Sequence, residues 1–186
     1  MSPGELVVVR HADTDWSESG RHTGRTDMPL NEDGRAAATT LAERLAGHTF
    51  VAVWCSPLRR AAQTAELAGF GGLARERAEL VEWDYGAYEG LTTEQIHEQR
   101  PGWDLWRDGC PGGEDAAAVG ARADQVLAEL PETGTVLVFS HGHLLRVLIA
   151  RWLALKPARG ALFLLAPGRI GVLTHERDRR VLSSLG

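Results

Sequence analysis

Cysteine and long apolar runs are scarce in this 186-residue sequence. Its two cysteines, Cys55 and Cys110, are too few for a disulfide framework. No apolar run approaches the ~18 residues that a membrane-spanning helix needs. The N-terminus lacks the basic region and apolar stretch of a secretory signal peptide. We therefore expect a cytoplasmic protein that keeps both thiols free and has no membrane partner.

Positive charge is in short supply as well. The 20 Lys and Arg residues are outnumbered by 25 Asp and Glu residues, which gives a net charge of −5. This balance disfavours nucleic acid as a partner, so an anionic ligand has to be held by a local cluster of positive side chains. With 44% apolar and 24% charged residues, the chain has the composition of a globular protein, and its length predicts a single domain, residues 1–186.

Three short apolar runs predict buried strands, because they are rich in valine and show no polar alternation. They are Leu6–Val9, Phe50–Cys55 and Thr135–Phe139. Helical patterns follow them: one after a predicted N-cap at Asn31, one at Leu58–Ala68, and two apolar stripes at 119–130 and 144–152. This alternation predicts an α/β fold, a three-layer sandwich whose mostly parallel central sheet carries helices on both faces.

Two further segments complete the predicted fold. Ile170–Thr174 and Arg180–Ser183 form a late pair of strands at a sheet edge. Residues 69–113 are less regular and contain Trp83, Trp103 and Trp106. We expect this segment to be an irregular excursion that covers one end of the sheet as a lid.

Cationic side chains follow each of the three predicted strands. Arg10 and His11 end the first, Arg60 comes shortly after the second, and His141 comes directly after the third. The carboxyl ends of parallel strands share one edge of a sheet, where ligands bind. We therefore predict that these four side chains converge on an anion site, since guanidinium groups match phosphate well.

A histidine in such a site has a further property. Neighbouring positive charge lowers its pKa, so the imidazole is neutral and its lone pair can attack phosphorus. The leaving alcohol then needs a proton, which a carboxylic acid could supply. The residues alone thus predict phosphoryl transfer, and they leave other interpretations open.

Three such interpretations concern single motifs. Arg10-His11 taken alone is also compatible with a solvated strand end. His141-Gly142-His143 resembles a metal-binding pair, although Leu144 follows instead of another ligand. A cysteine phosphatase needs an arginine six positions after its cysteine, and alanine stands there after both Cys55 and Cys110.

Four motifs, in order, resemble those of the histidine phosphatase superfamily, also called phosphoglycerate-mutase-like. They are Arg10-His11-Ala12, Ser56-Pro57-Leu58-Arg59-Arg60-Ala61-Ala62-Gln63-Thr64-Ala65, Glu82-Trp83-Asp84-Tyr85-Gly86-Ala87-Tyr88-Glu89-Gly90 and Ser140-His141-Gly142. The stretches TDWSESGRHTGRTDMPL, EWDYGAYEGLT, WRDGCPGGE and FSHGH are similar to a branch that includes sedoheptulose-1,7-bisphosphatase and short acid phosphatases.

The resemblance implies roles for individual residues. His11 is the nucleophile that forms a phosphohistidine, while Arg10, Arg60 and His141 hold the phosphoryl oxygens. Glu82 protonates the leaving oxygen and then activates water; on chemistry alone, Glu89 is an equal candidate. Substrate contacts are implied for Ser17, Thr23, Gly142, His143, Trp16, Trp83 and Tyr85. No metal or other cofactor is implied.

These features together predict a metal-independent phosphomonoesterase for small phosphorylated metabolites, with sugar phosphates as the expected class. A cofactor-dependent phosphoglycerate mutase and a non-catalytic phospho-ligand binding module are the alternatives, and a homo-oligomer stays open. One residue departs from the family pattern, because Ala12 replaces the usual glycine. If that position required a positive φ, alanine would cost roughly 1 kcal/mol. We expect reduced tolerance there and retained activity.

Overall fold

A six-stranded sheet forms the centre of the computed structural model, which describes residues 4–186. Its strands are β1 (Glu5–Arg10), β2 (Phe50–Cys55), β3 (Ala74–Glu76), β4 (Thr135–Ser140), β5 (Ile170–Glu176) and β6 (Arg179–Leu185). They lie in the order β3-β2-β4-β1-β5-β6. The first four are mutually parallel, whereas β5 is antiparallel to β1 and β6 to β5. The mostly parallel sheet and its late edge pair are thus confirmed.

Helices cover both faces of the sheet. Within the described range they are α1 (Asp15–Glu18), α2 (Glu32–Leu45), α3 (Arg59–Leu67), α4 (Thr93–Gln99), α5 (Leu105–Asp108), α6 (Ala116–Ala128) and α7 (Gly142–Trp152). Short 3-10 turns occur at Gly71–Leu73, Ala78–Leu80, Gly86–Tyr88 and Pro157–Leu162. The Asn31 side chain accepts a hydrogen bond from the Gly34 N–H at 2.8 Å, so it caps α2 as predicted.

Alternating side chains of β1 divide the core into two layers. Leu6 and Val8 pack on the side of α6 and α7, whereas Val7 and Val9 pack on the side of α2 and α3. All four are at most 1% exposed. A strand buried on both faces explains the continuous apolar run and confirms the three-layer arrangement.

The segment 69–113 divides between the sheet and the cavity wall. Residues 74–76 add β3 to the sheet edge beside β2, which the sequence did not predict. The part that follows β3 and includes α4 and α5 contributes several residues to the cavity described below. None of the helices between Gly4 and Gly186 combines the length and the apolar character needed to cross a membrane.

Candidate active site

A cavity of about 400 Å³ opens where β1 and β4 end. Eight of the residues predicted for the site line it: Arg10, His11, Ser17, Thr23, Glu82, Tyr85, Gly142 and His143. Strand β1 delivers the first two, and the first turn of α7 delivers the last two. The sheet topology thus brings residues 10, 82 and 143 together although they are far apart in sequence.

His11 is held as a neutral imidazole with one nitrogen available. Its Nδ1 lies 2.7 Å from the Ala12 carbonyl oxygen. A carbonyl can only accept, so Nδ1 carries the proton and the lone pair is on Nε2. Burial, followed by the charges of Arg60 and Arg10, lowers the pKa of His11 well below its ordinary value. The side chain therefore meets the chemical requirements of a nucleophile.

Arg10 presents an unsatisfied donor beside His11. Its Nη1 donates to the Leu165 carbonyl at 2.8 Å, while its buried Nε has no hydrogen-bond partner among residues 4–186. Gly142 allows the start of α7 to pack against this guanidinium, since a Cβ there would lie 3.1 Å from the Arg10 Cζ. A buried cationic donor without a partner is costly, which favours an anionic ligand at this point.

Arg60 and His141 lie behind the cavity wall. The Arg60 Nε donates to the His141 Nδ1 at 3.1 Å, and its two Nη groups donate to the carbonyls of Thr23, Gly24 and Thr26. Because the His141 Nδ1 accepts, its Nε2 carries the proton and donates to the Ser56 Oγ at 2.7 Å. The centroids of the His141 and His11 rings are 5.2 Å apart. Arg60 and His141 therefore support the floor of the site beneath His11.

The Glu82 carboxylate is bound by the first turn of α7. Its Oε1 accepts from the N–H groups of Trp83 at 2.8 Å and Leu144 at 2.9 Å. Its Oε2 accepts from the His143 N–H at 3.0 Å. An anionic group at a helix N-terminus is favourable, and the side chain is 4% exposed at the cavity surface.

Glu89, the other candidate for the proton-transfer role, lies in a different position from Glu82. It accepts hydrogen bonds from the N–H groups of Gly24 and Thr26 at 2.9–3.1 Å and does not line the cavity. It thereby fixes the loop whose carbonyls hold Arg60. The geometry favours Glu82 as the proton-transfer group.

Two predicted substrate contacts lie away from the cavity. Trp83 is fully buried, and its Nε1 donates to the Glu114 carbonyl at 2.9 Å. Trp16 packs against Gly90, where a Cβ would lie 3.1 Å from the Trp16 ring. Neither lines the cavity, so both serve packing in this structure.

Several lining residues were missed by the sequence analysis. They are Gly20, Arg21, His22, Thr93, His97, Trp103, Asp104, Leu105, Trp106 and Arg146. The Arg146 guanidinium lies over the Trp106 ring at 4.6 Å. Arg146 follows His143 by three residues on α7 and therefore shares its helix face, a spacing that was readable in the sequence. The residues from α4 and α5 had no comparable signal.

The departure at Ala12 causes no backbone strain. Ala154 and Arg177 are the non-glycine residues with positive φ in the described part of the chain, so Ala12 has an ordinary conformation. Its N–H donates to the Thr64 Oγ1 at 3.1 Å, and its buried methyl packs with Leu30 and Ala38. The expected reduction in tolerance therefore has no structural basis.

Neither cysteine has the properties of a nucleophile, and the described residues contain no cluster of metal ligands. Burial raises the pKa of Cys55 and of Cys110 to about 12, so neither is a thiolate at neutral pH. Across residues 4–186, no group of three or more His, Cys, Asp or Glu side chains is arranged to hold a metal ion.

Comparison with known proteins identifies the family. Residues 6–186 match the model of the histidine phosphatase superfamily, branch 1. An acid phosphatase of Mycobacterium tuberculosis is 44% identical, covering 97% of this chain and 91% of its own. A sedoheptulose 1,7-bisphosphatase of Saccharomyces cerevisiae is 33% identical, covering 80% and 67%.

The solved structures agree with this match. The structure of an open reading frame of Mycobacterium tuberculosis superposes with a TM-score of 0.92 at 41% identity, covering 98% of this chain and 97% of the other. The resemblance predicted from four motifs and the predicted α/β architecture are both confirmed. The chain belongs to the histidine phosphatase superfamily.

Proposed function

We propose that this chain is a metal-independent phosphomonoesterase that acts through a phosphohistidine at His11. One observation carries the proposal: the neutral His11, with its lone pair on Nε2, and Arg10, whose buried Nε has no hydrogen-bond partner among residues 4–186, line the same cavity. The first group attacks phosphorus, and the second binds the phosphoryl oxygens. The family assignment and the phosphatase names of the relatives support the same reaction class.

In the first half-reaction, the His11 Nε2 forms a bond to phosphorus while the ester P–O bond breaks. Glu82 enters this step as the carboxylic acid and gives its proton to the departing alkoxide, and the carboxylate formed is the state that the N–H groups of His143 and Leu144 bind. The guanidinium of Arg10 and the N–H of Gly142 stabilise the charge on the equatorial oxygens. Arg60 and His141 hold the floor of the site. We propose that these two side chains also contact the phosphoryl oxygens directly.

In the second half-reaction, the Glu82 carboxylate accepts a proton from water as the water oxygen attacks phosphorus. The N–P bond breaks, and its electron pair returns to the His11 Nε2. Inorganic phosphate leaves, so His11 and Glu82 regain their initial protonation states. The fixed Arg10 guanidinium and the Gly142 N–H supply the positive field without a metal ion.

Small phosphorylated metabolites, in particular sugar phosphates, are the substrate class that we propose. A cavity of about 400 Å³ suits a molecule of that size. Its lining also includes Arg21, His22, His97, Asp104 and Arg146, which are polar partners for hydroxyl and charged groups. We propose that the 69–113 segment, which supplies several of these residues, serves as the lid of a single domain. A cytoplasmic location is a prediction from the sequence, and the sequence leaves a homo-oligomer open.

The test is to trap the intermediate. Wild-type protein is incubated with a sugar phosphate and the reaction is quenched rapidly. The protein should carry one phosphoryl group on His11, which mass spectrometry of its peptides under alkaline conditions identifies. His11→Ala should not be phosphorylated and should lose at least about a thousandfold in kcat/KM. The same assay with EDTA should give unchanged turnover.

The product separates the alternatives. Release of inorganic phosphate from 3-phosphoglycerate supports the phosphatase, whereas its isomerisation dependent on 2,3-bisphosphoglycerate indicates the mutase. Equal inactivity of wild type and His11→Ala on p-nitrophenyl phosphate and on a panel of sugar phosphates would leave a binding module. Loss of activity in EDTA that zinc or magnesium restores would overturn the metal-independent mechanism.

A further inference from the structure

The ion pair between Arg122 and Glu114 is largely buried and is not used in the mechanism above. The side chains are 17% and 16% exposed. The Arg122 Nε and Nη2 donate to the two Glu114 carboxylate oxygens at 2.8 Å each. Glu114 is the last residue of the WRDGCPGGE stretch, whose function the site itself does not explain.

The remaining donors of Arg122 bind the backbone next to Glu82. Its Nη1 donates to the carbonyls of Glu79 and Val81 at 2.8 Å each, and its Nη2 donates to the carbonyl of Glu82 at 3.3 Å. Together with the two bonds to Glu114, these contacts use all five N–H groups of the guanidinium. One side chain therefore fixes the segment that leads into Glu82.

Glu114 fixes the segment that leaves Glu82. Its Oε2 accepts from the Asp84 N–H at 2.9 Å, and its own N–H donates to the Asp84 carbonyl at 2.9 Å. The preceding Gly113 allows this approach, because a Cβ there would lie 2.2 Å from the Asp84 oxygen. The backbone is thus held on both sides of the Glu82 Cα, while α7 holds the carboxylate.

We propose that Arg122 is a positioning residue for proton transfer by Glu82, an inference that rests on the proposed function. Arg122 does not line the cavity, so it acts through the backbone of residues 79–82. Proton transfer needs the donor within hydrogen-bond reach of the leaving oxygen. A displacement of well under 1 Å in this segment is enough to impair that step.

The experiment compares two leaving groups through kcat/KM, which reports the phosphorylation half-reaction. p-Nitrophenyl phosphate releases a stable phenolate and depends little on an acid, whereas glycerol 2-phosphate releases an alkoxide that depends on it strongly. Arg122→Met should lower kcat/KM by about 10- to 100-fold for glycerol 2-phosphate and by less than about threefold for p-nitrophenyl phosphate.

Two controls isolate the role. Arg151→Met removes the more exposed Arg151–Asp124 pair between α6 and α7, whose N···O distance is 2.7 Å, and should leave both substrates unaffected. Arg122→Met introduced into Glu82→Gln should change kcat/KM by less than about twofold further, because the group that it positions is already absent. Thermal denaturation identifies variants that are unfolded at the assay temperature.

Arg122→Lys replaces Arg122→Met if the latter does not fold, since an ammonium offers three donors instead of five and should give the same leaving-group pattern. An equal loss for both substrates, or an undiminished loss in the Glu82→Gln background, would overturn the positioning role. Absence of phosphohistidine in the wild type would instead refute the proposed function, so the two failures are distinguishable.

Discussion

Glu82 and Glu89 carry the same side chain seven residues apart, and their surroundings separate their roles. Glu82 lines the cavity at the start of α7, whereas Glu89 binds the N–H groups of Gly24 and Thr26. We expect Glu82→Gln to lower kcat by about 10²- to 10⁴-fold with little change in KM for an alkyl phosphate, because the amide cannot transfer the proton. Steady-state kinetics measure both constants.

Glu89→Gln is the matched control for that change. It keeps an oxygen for the loop N–H groups and should reduce kcat by less than about tenfold, accompanied by a lower melting temperature. A larger loss of kcat in Glu89→Gln than in Glu82→Gln would move the proton-transfer role to Glu89. The sequence could not separate the two residues on chemistry alone, because both are glutamates close to Trp83-Asp84-Tyr85. Glu82 directly precedes this triplet, and Glu89 follows it after a short interval.

At the level of the elements, the site depends on the contact between the end of β1 and the first turn of α7. We expect Gly142→Ala to displace the Arg10 guanidinium, which lies 3.1–3.3 Å from the position of the new Cβ. The loss in kcat/KM should be about tenfold or more, since small displacements of binding groups are costly. Inorganic phosphate should inhibit the variant more weakly than it inhibits the wild type.

Gly47→Ala is the control, because a Cβ at Gly47 would meet no atom within 4 Å. It should leave kcat/KM and phosphate inhibition unchanged. Unchanged kinetics in Gly142→Ala would show that Arg10 does not need its observed position for binding.

The elements that sequence patterns predict well are those with a buried face. The bounds of β2 agree at both ends with the predicted run, and Leu58 and Ala68 flank α3 as its caps. Strand β3 was missed because its three residues, Ala74–Glu76, are half-buried or exposed and owe their conformation to pairing with β2. The place of Trp103 and Trp106 on the cavity wall depends on how the irregular 69–113 segment folds, so no periodic pattern in the sequence predicts it.

The protonation states of the whole molecule make its stability depend on pH. Burial lowers the pKa of His11, His22, His141 and His143 in the folded chain. As pH falls through 6.5, the ordinary value, the unfolded chain binds protons at these positions before the folded chain does. The free energy of unfolding is therefore highest above that pH and should fall by up to about 1.4 kcal/mol per pH unit for each histidine.

Urea denaturation between about pH 7.5 and about pH 5.5 measures this dependence. His141→Asn should flatten the slope by one histidine's share, whatever its effect on the absolute stability. A stability that does not change over this range, or an unaltered slope in His141→Asn, would contradict the assignment of buried neutral histidines.

The position of β1 in the sheet has a consequence for where the protein can open. This strand has hydrogen-bonded neighbours on both sides, β4 and β5, and Val7, Val8 and Val9 are at most 1% exposed. We expect its amide protons to exchange with solvent when the whole sheet opens, and those of the edge strands β3 and β6 to exchange through local fraying. The proposed nucleophile, His11, therefore directly follows the strand that we expect to exchange most slowly.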